Sequence, residues 1–513
     1  MAFAQTEVPQ LSGEACAAAQ AVQPSRRHWI PYAAVSVLIL VPCFWQQRIQ
    51  AGDLSSHIYN AWLAQLVERG QAAGVTLARQ SSNVLFDLML SALFNAFGPR
   101  PAERIAVAAA VLIFFWGAFG FVWNWSRKNS RSAPWFLAPC LAMLSYGWVF
   151  HMGLFNFYLS LGLCLAALAI ASRPSRIRLA GAVGVLAVAY TAHGLPVGWA
   201  IAALAYRWIA PAISPRYRTW LPAVGAAGLA GVAIMLRLRY QGSWTPGQIT
   251  AVSGADQVWV FGVHYCPIAV AVLALWMVWL LRALEARGAE RVLVGSQFQF
   301  CLLTALSVVL MPGMIRLPGM HGTINILTER MSLATGVMLC ALVAGVRPRR
   351  GEMAILAVVT TVFFGCVFAD ERAFNGFETE LERVVAQIPP GQRVISTVGD
   401  PNSRVNSLAH SIDRVCIGRC FSYANYEPST AQFRVRANQE NPVVIWDYPQ
   451  SWALQAGQYR VQKRDLPLYD VLVCGPSSKT LCVSTLQAGT QTGLTWLAVA
   501  PVFGPWDRRG DSQ

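Results

Sequence analysis

Residues 29–60 read WIPYAAVSVLILVPCFWQQRIQAGDLSSHIYN, an apolar run from Trp29 to Gln46 followed by a polar segment in which Asp53 and His57 stand one helical turn apart. Roughly 17–25 apolar residues suffice to cross a bilayer as a helix. The first half of the stretch therefore reads as a span, and the second as the start of a loop beside the membrane. An ionisable group so near the apolar phase is costly, and keeping one there marks a candidate for function. Arg26, Arg27 and His28 precede the run, no small-residue cleavage site follows it, and more apolar runs come later, so it reads as a retained anchor and not a signal peptide.

The rest of the chain extends this reading. Of 513 residues, 55% are hydrophobic and only 13% charged, the composition of a polytopic membrane protein with a soluble part attached. About eleven apolar segments qualify as spans by length, near residues 29–46, 104–125, 134–150, 153–171, 178–193, 196–211, 219–236, 263–281, 292–311, 327–346 and 352–369. The shorter ones have to tilt or thin the bilayer. Cytoplasmic loops hold the excess of basic residues, so Arg26 and Arg27 place the N-terminus inside. The loops with Arg127, Lys128 and Arg131, with Arg173, Arg176 and Arg178, with Arg207, Arg216 and Arg218, with Arg282, Arg287 and Arg291, and with Arg347, Arg349 and Arg350 then fall on the same side. This works if Val84–Phe97, which contains Asp87 and ends at Gly98-Pro99-Arg100-Pro101, is an interfacial or re-entrant helix on the outside. The net charge of +15 is dispersed over these loops and reports topology and anionic lipid headgroups, so nucleic acid is not an expected partner.

Composition changes near Asp370. Residues 371–513 are long enough to bury a core of their own, with a helix over Glu371–Ile388 ended by Pro389-Pro390-Gly391. Short apolar runs follow at Arg393–Thr397, Pro442–Asp447, Tyr469–Cys474, Leu481–Ser484 and Leu494–Ala500, the pattern of a small α/β domain. An odd number of spans puts it outside the membrane, where Cys416, Cys420, Cys474 and Cys482 can form disulfides, with pairing open, or stay free thiols, either in preference to a zinc site. The other cysteines fall mostly in apolar runs, as small buried hydrophobes. The expected fold is thus mainly α: a polytopic helical bundle of about eleven transmembrane helices over residues 29–370, with a first extracytoplasmic loop at 47–103 and a C-terminal extracytoplasmic α/β domain at 371–513. Residues 1–28, rich in Ala and Gln, read as a disordered cytoplasmic tail. The expected location is a cell inner (plasma) membrane, with the C-terminal part in the bacterial periplasm.

On this topology His57, His151, His193, His264 and His321 all map to the outer ends of spans or the loops between them, with Asn156, Arg316, Glu329 and Arg330. One histidine at headgroup level is ordinary, and the group can also face water separately around the bundle. Five on one side suggest a polar belt lining a single cavity. Within 52–60, Asp53, Ser56, His57 and Asn60 share one helical face while Leu54, Ile58, Trp62 and Leu66 share another, which predicts a surface helix with its apolar stripe in lipid. Asp53 is also placed to be the N-cap of that helix, a role compatible with a catalytic one.

The layout and this segment resemble the GT-C superfamily of membrane glycosyltransferases, which includes oligosaccharyltransferases, protein mannosyltransferases and aminoarabinose transferases. In that family a long external loop after the first span begins with an acidic residue, and a later arginine meets the donor phosphate. The matching features here are the loop 47–103, Asp53, and Arg316 in Met314-Ile315-Arg316-Leu317-Pro318 or Arg330 in Leu327-Thr328-Glu329-Arg330-Met331. Many members carry paired acids after the first span, whereas this chain has Leu54 next to Asp53. No resident cofactor is assigned, and a divalent metal stays open.

The resemblance implies transfer of a sugar from a polyprenyl-phosphate donor to a glycan, lipid or protein acceptor at the outer face, beside membrane lipids. A carboxylate, Asp53, takes the proton of the acceptor hydroxyl, and Arg316 or Arg330 stabilises the departing phosphate. A guanidinium suits that task because it grips phosphate oxygens with two prongs and stays charged. His57, Asn60, His151, Asn156, His193, His264, His321 and Glu329 complete the expected binding set. Glu329 and Arg330 can instead pair with each other, and Trp148, Trp199 and Trp259 either stack on sugar or form an interfacial belt. The rival readings are a lipid-linked glycan polymerase or ligase, a transporter or flippase with a helix break at Ala192-His193-Gly194-Leu195-Pro196, and a non-catalytic scaffold or sensor.

Overall fold

The computed structural model describes residues 29–126, 133–173, 175–316, 318, 323–405, 407–475 and 480–499. The expected tail 1–28 and His321 lie outside the described residues. The protein is mainly helical, with small sheets confined to the first loop and the region after residue 392.

Among the described residues four helical stretches are long and apolar enough to cross a membrane: Pro99–Trp125, Arg216–Tyr240, Val263–Arg287 and Arg350–Val385. This corrects the expectation of about eleven spans. Several apolar runs owe their character to burial in protein. The run 134–150 breaks into Trp135–Leu137, Ala138–Ser145 and Trp148–His151, and its residues are largely buried. Phe155–Ile170 has 16 residues, about 24 Å at 1.5 Å per residue, and is enclosed nearly all round, as expected of a helix apolar on every face. It lies so close to Pro99–Ser126 that a Cβ at Gly117 would sit 2.2 Å from the Gly162 carbonyl oxygen. Small residues permit such backbone approach. Elsewhere large apolar side chains face outward, among them Ile177, Trp220, Leu238, Val270 and Val358, a surface suited to lipid.

The helix Arg350–Val385 has 36 residues. At about 54 Å it exceeds the membrane core and runs through the expected domain boundary at 370. The residues after it show no clear separate domain: the main hydrophobic core extends from Ile39 to Leu481, with a smaller cluster around Ile395, Tyr423 and Leu468 beside it. Polar contacts tie the same regions together. Asn375 accepts from the Arg48 amide, Arg414 pairs with Glu103 at 3.4 Å, and the Ser422 amide donates to the Tyr59 hydroxyl.

The strands Phe421–Ser422, Arg393–Ser396, Leu468–Val473 and Leu481–Thr485 lie in that order in one sheet, the last pair antiparallel and the others parallel. The expected run at Pro442–Asp447 forms no strand. Val75–Leu77 in the first loop pairs antiparallel with Val435–Ala437. Cys416 is bonded to Cys420 and Cys474 to Cys482.

The helix after the first apolar run, Leu54–Glu68, is also corrected. Leu54 and Ile58 are fully buried and Trp62 stacks on Phe421, so its apolar stripe faces protein and not lipid. Leu85–Phe97 is a 13-residue helix, as the break at Gly98 suggested.

Candidate functional site

Asp53 occupies the N-cap position of Leu54–Glu68, yet its side chain accepts no bond from the first-turn amides. The turn is held by backbone bonds instead: the Gly52 amide donates to the His151 carbonyl at 2.7 Å and the Asp53 amide to the Met152 carbonyl at 3.0 Å. Gly153, at φ +82°, allows this contact, since a Cβ there would lie 2.4 Å from the Asp53 nitrogen. The carboxylate is left to face a cavity of about 540 Å³.

His57 lies on the same wall. Its Nδ1 is 2.7 Å from Asp87 and 3.6 Å from Glu427. Asn156 donates to the second Asp87 oxygen at 2.8 Å and accepts from the Phe86 amide at 2.9 Å, fixing the carboxylate. Burial opposes a charge on His57, but Asp87, with Glu427 and Asp53 behind it, outweighs burial and pushes the imidazole up to about 10. His57 is therefore a cation at neutral pH. Burial together with Asp87 and Asp53 raises Glu427 to about 7, against the lowering effect of His57 and of the Ser56 hydroxyl bonded to it at 3.1 Å.

An imidazole and a guanidinium face Asp53 from distant parts of the chain. His410 places Nε2 3.8 Å from Asp53 and Nδ1 3.2 Å from Asp413, which the Ser422 hydroxyl also contacts. Burial disfavours charge on His410, and Asp413, with Asp53 and Glu427, reverses that and raises it. Arg330 is buried, donates from Nε and one terminal nitrogen to the carbonyls of Ile326 and Asn325, and lies 5.6 Å from the Phe157 ring centroid. Among the described residues no carboxylate lies within salt-bridge distance of it. Glu329 turns away to Thr245 and Thr328, so the pairing of Glu329 with Arg330 does not form. His193, at the break between Arg176–Ala192 and Gly194–Ala212, accepts from the Leu195 amide with Nδ1, which leaves the ring proton on Nε2 as a donor.

Asp53, His57, Asn156, His193 and Arg330 thus line one cavity. The other expected residues lie elsewhere. Asn60 is bonded to Ser56 and Asn425. His151, fully buried, faces Glu371 at 3.4 Å, and His264 meets Asp370 at 3.1 Å. Arg316 is exposed and does not line the cavity. The three tryptophans Trp148, Trp199 and Trp259 do not line it either.

Sequence reasoning missed His410, Glu427 and Tyr426, whose ring lies beside His410 in the cavity wall, because only long-range packing brings them to Asp53. Asp87 carried the same signal as Asp53, a lone acid in an apolar run. Among the described residues no group of three or more His, Cys, Asp or Glu is arranged to hold a metal ion. Asp87 and Glu427 are instead engaged by His57, Asn156 and Ser56.

The fold and site define a helical protein with membrane-length apolar helices and a cavity where one uncapped carboxylate faces imidazole and guanidinium groups. Compared with protein-family models, with curated proteins and with solved structures, the chain shows no significant match to any.

Proposed function

We propose that the cavity is the active site of a GT-C-like membrane glycosyltransferase that moves a sugar from a polyprenyl-phosphate donor to an acceptor hydroxyl. The observation that carries this reading is the uncapped Asp53 carboxylate in the same cavity as Arg330, a buried guanidinium with no carboxylate partner among the described residues. Asp53 takes the proton of the acceptor hydroxyl as its oxygen bonds to the anomeric carbon, and the bond from that carbon to the phosphate oxygen breaks. Arg330 and the Nε2–H of His193 receive the negative charge that grows on the departing polyprenyl phosphate. His57 and His410, each held toward its charged form by the carboxylates behind it, face the same cavity as Asp53. The isoprenoid stays in lipid while its head enters the polar cavity.

We place the basic loops in the cytoplasm and the cavity with residues 371–513 on the outer side of an inner membrane. The arginine distribution and the two cysteine pairs support that side. One feature favours a second reading, a carrier of a lipid-linked or polar substrate: the helix break at His193 opens on the cavity. Replacing Asp53 by Asn and assaying sugar transfer from a polyprenyl-phosphate donor in membranes separates the two. Turnover retained in a correctly inserted variant would reject the transferase, and donor translocation without transfer would establish the carrier.

A further inference from the structure

The cavity has two walls of different chemistry. Every lining Asp, Glu, Lys, Arg or His is one of Asp53, His57, His193, Arg330 and His410. The lining residues from 80–83 and 430–455 include no Asp, Glu, Lys, Arg or His. They present amides, hydroxyls and rings, with Gln80, Gln432, Gln455, Tyr448 and Trp452 the largest polar and aromatic contributors.

These residues form one continuous surface. The ladder between Val75–Leu77 and Val435–Ala437 continues through the Ala78 amide, which donates to the Arg434 carbonyl at 2.8 Å, and beyond it the Gln80 side-chain Nε2 donates to the Gln432 carbonyl at 2.7 Å. Gln455 Nε2 donates to the Ala424 carbonyl at 2.9 Å, and the short helix Tyr448–Gln455 lines the same cavity. Two groups on this wall are uncommitted. Gln80 Oε1 is buried with no partner among the described residues. Trp452 is 56% exposed, unlike most large rings of the interior.

Amides that both donate and accept, set beside open aromatic faces, match a ligand with many hydroxyls and apolar C–H faces. An anionic glycan or a phosphorylated headgroup would leave its charge unmatched on this wall, because the cations sit on the other one. We propose that the wall formed by 80–83 and 430–455 is the acceptor subsite and that it takes a neutral glycan, with Trp452 stacking on a sugar ring and Gln80, Gln432 and Gln455 bonding its hydroxyls. This assignment rests on the transferase reading, and it selects the glycan from the glycan, lipid and protein acceptors that the reading allows.

The test is binding without turnover. Full-length protein in lipid nanodiscs is titrated with cellotetraose, maltotetraose and mannotetraose, as wild type and as Asp53→Asn, Trp452→Ala and the double variant Gln432→Ala/Gln455→Ala. At least one tetrasaccharide binds wild type and Asp53→Asn alike, and Trp452→Ala weakens it about tenfold or more, the scale of one lost aromatic contact. Trp452 is exposed, so its replacement leaves the fold intact, and unchanged thermal denaturation checks this. Absence of binding by all three probes, or unchanged binding to Trp452→Ala, overturns the subsite. If Asp53→Asn is at the same time inactive in transfer, the transferase reading survives that loss. Glycan binding alongside full transfer by Asp53→Asn has the opposite meaning, rejecting the reading and with it the acceptor role.

Discussion

Two clusters of acids and histidines are buried in this protein, and they differ in closure. Around Asp370 and Glu371, His264, Tyr265, His151 and Trp45 take up the carboxylates in a sealed interior, with Asp370 and His151 fully inaccessible. Around Asp53, the carboxylate, His193 and Arg330 face an open cavity, and only the groups behind them are mutually satisfied. The same residue types thus serve two ends. In the sealed cluster they fix the long helix Arg350–Val385 to the segments around Trp45, His151 and Tyr265, and in the open one they remain available to a ligand.

The sharpest way to break this contrast is Asp53→Asn, for which transfer falls by about 10²–10⁴-fold, the range for loss of a general base, with the denaturation midpoint little changed. A membrane assay beside a thermal melt reads both. In the sealed cluster Glu371→Ala has the inverse signature. It leaves His151 and the Trp45 indole without their partner, and breaking a buried pair costs about 3–5 kcal/mol of stability, seen as loss of folded protein in detergent with specific activity per folded molecule retained.

Arg330→Lys sharpens the open side. The charge stays while the planar fork is lost, so transfer drops by about tenfold to a hundredfold if two phosphate oxygens are gripped together. Equal activity would show that Arg330 acts as a point charge only.

The smallest effect is a pH slope. His57 is raised from 6.5 to about 10, so its contribution to stability is complete below 6.5 and lost as pH rises toward 10. Glu427 is raised from 4.5 to about 7, so the native protein keeps a proton that the unfolded chain has released, and stability falls across that interval as well. Thermal midpoints should decline between pH 5 and 10, and His57→Gln should flatten the upper part of the decline. An unaltered slope above pH 7 in that variant would remove His57 as its source.

The open cluster was partly legible in the sequence, and the reason lies in cost. Asp53, His57, Asn156, His193 and Arg330 stood out because polar groups beside apolar runs need a reason to persist. The same rule also selected His151, His264 and Glu329, because it cannot separate a group facing a ligand from one satisfied by a distant acid. The uncapped state of Asp53 was invisible for a related reason: the bonds that hold its turn come from His151 and Met152, about a hundred residues downstream. Hydropathy likewise counted Phe155–Ile170 and the pieces of 134–150 as lipid-facing, since a helix buried among other helices is as apolar as one in lipid. His410 and Glu427 carried no local mark, because their role comes from docking after residue 385 onto the first loop.

The ladder between Val75–Leu77 and Val435–Ala437 joins segments some 360 residues apart. Contacts of such separation form late, after the intervening chain is made and inserted. A nascent chain can therefore thread its apolar helices while Asp53 still lacks His410 and the wall that closes over it. Until synthesis passes residue 437 the carboxylate and guanidinium lack the wall that closes over them, so the cavity is assembled only after that residue is made.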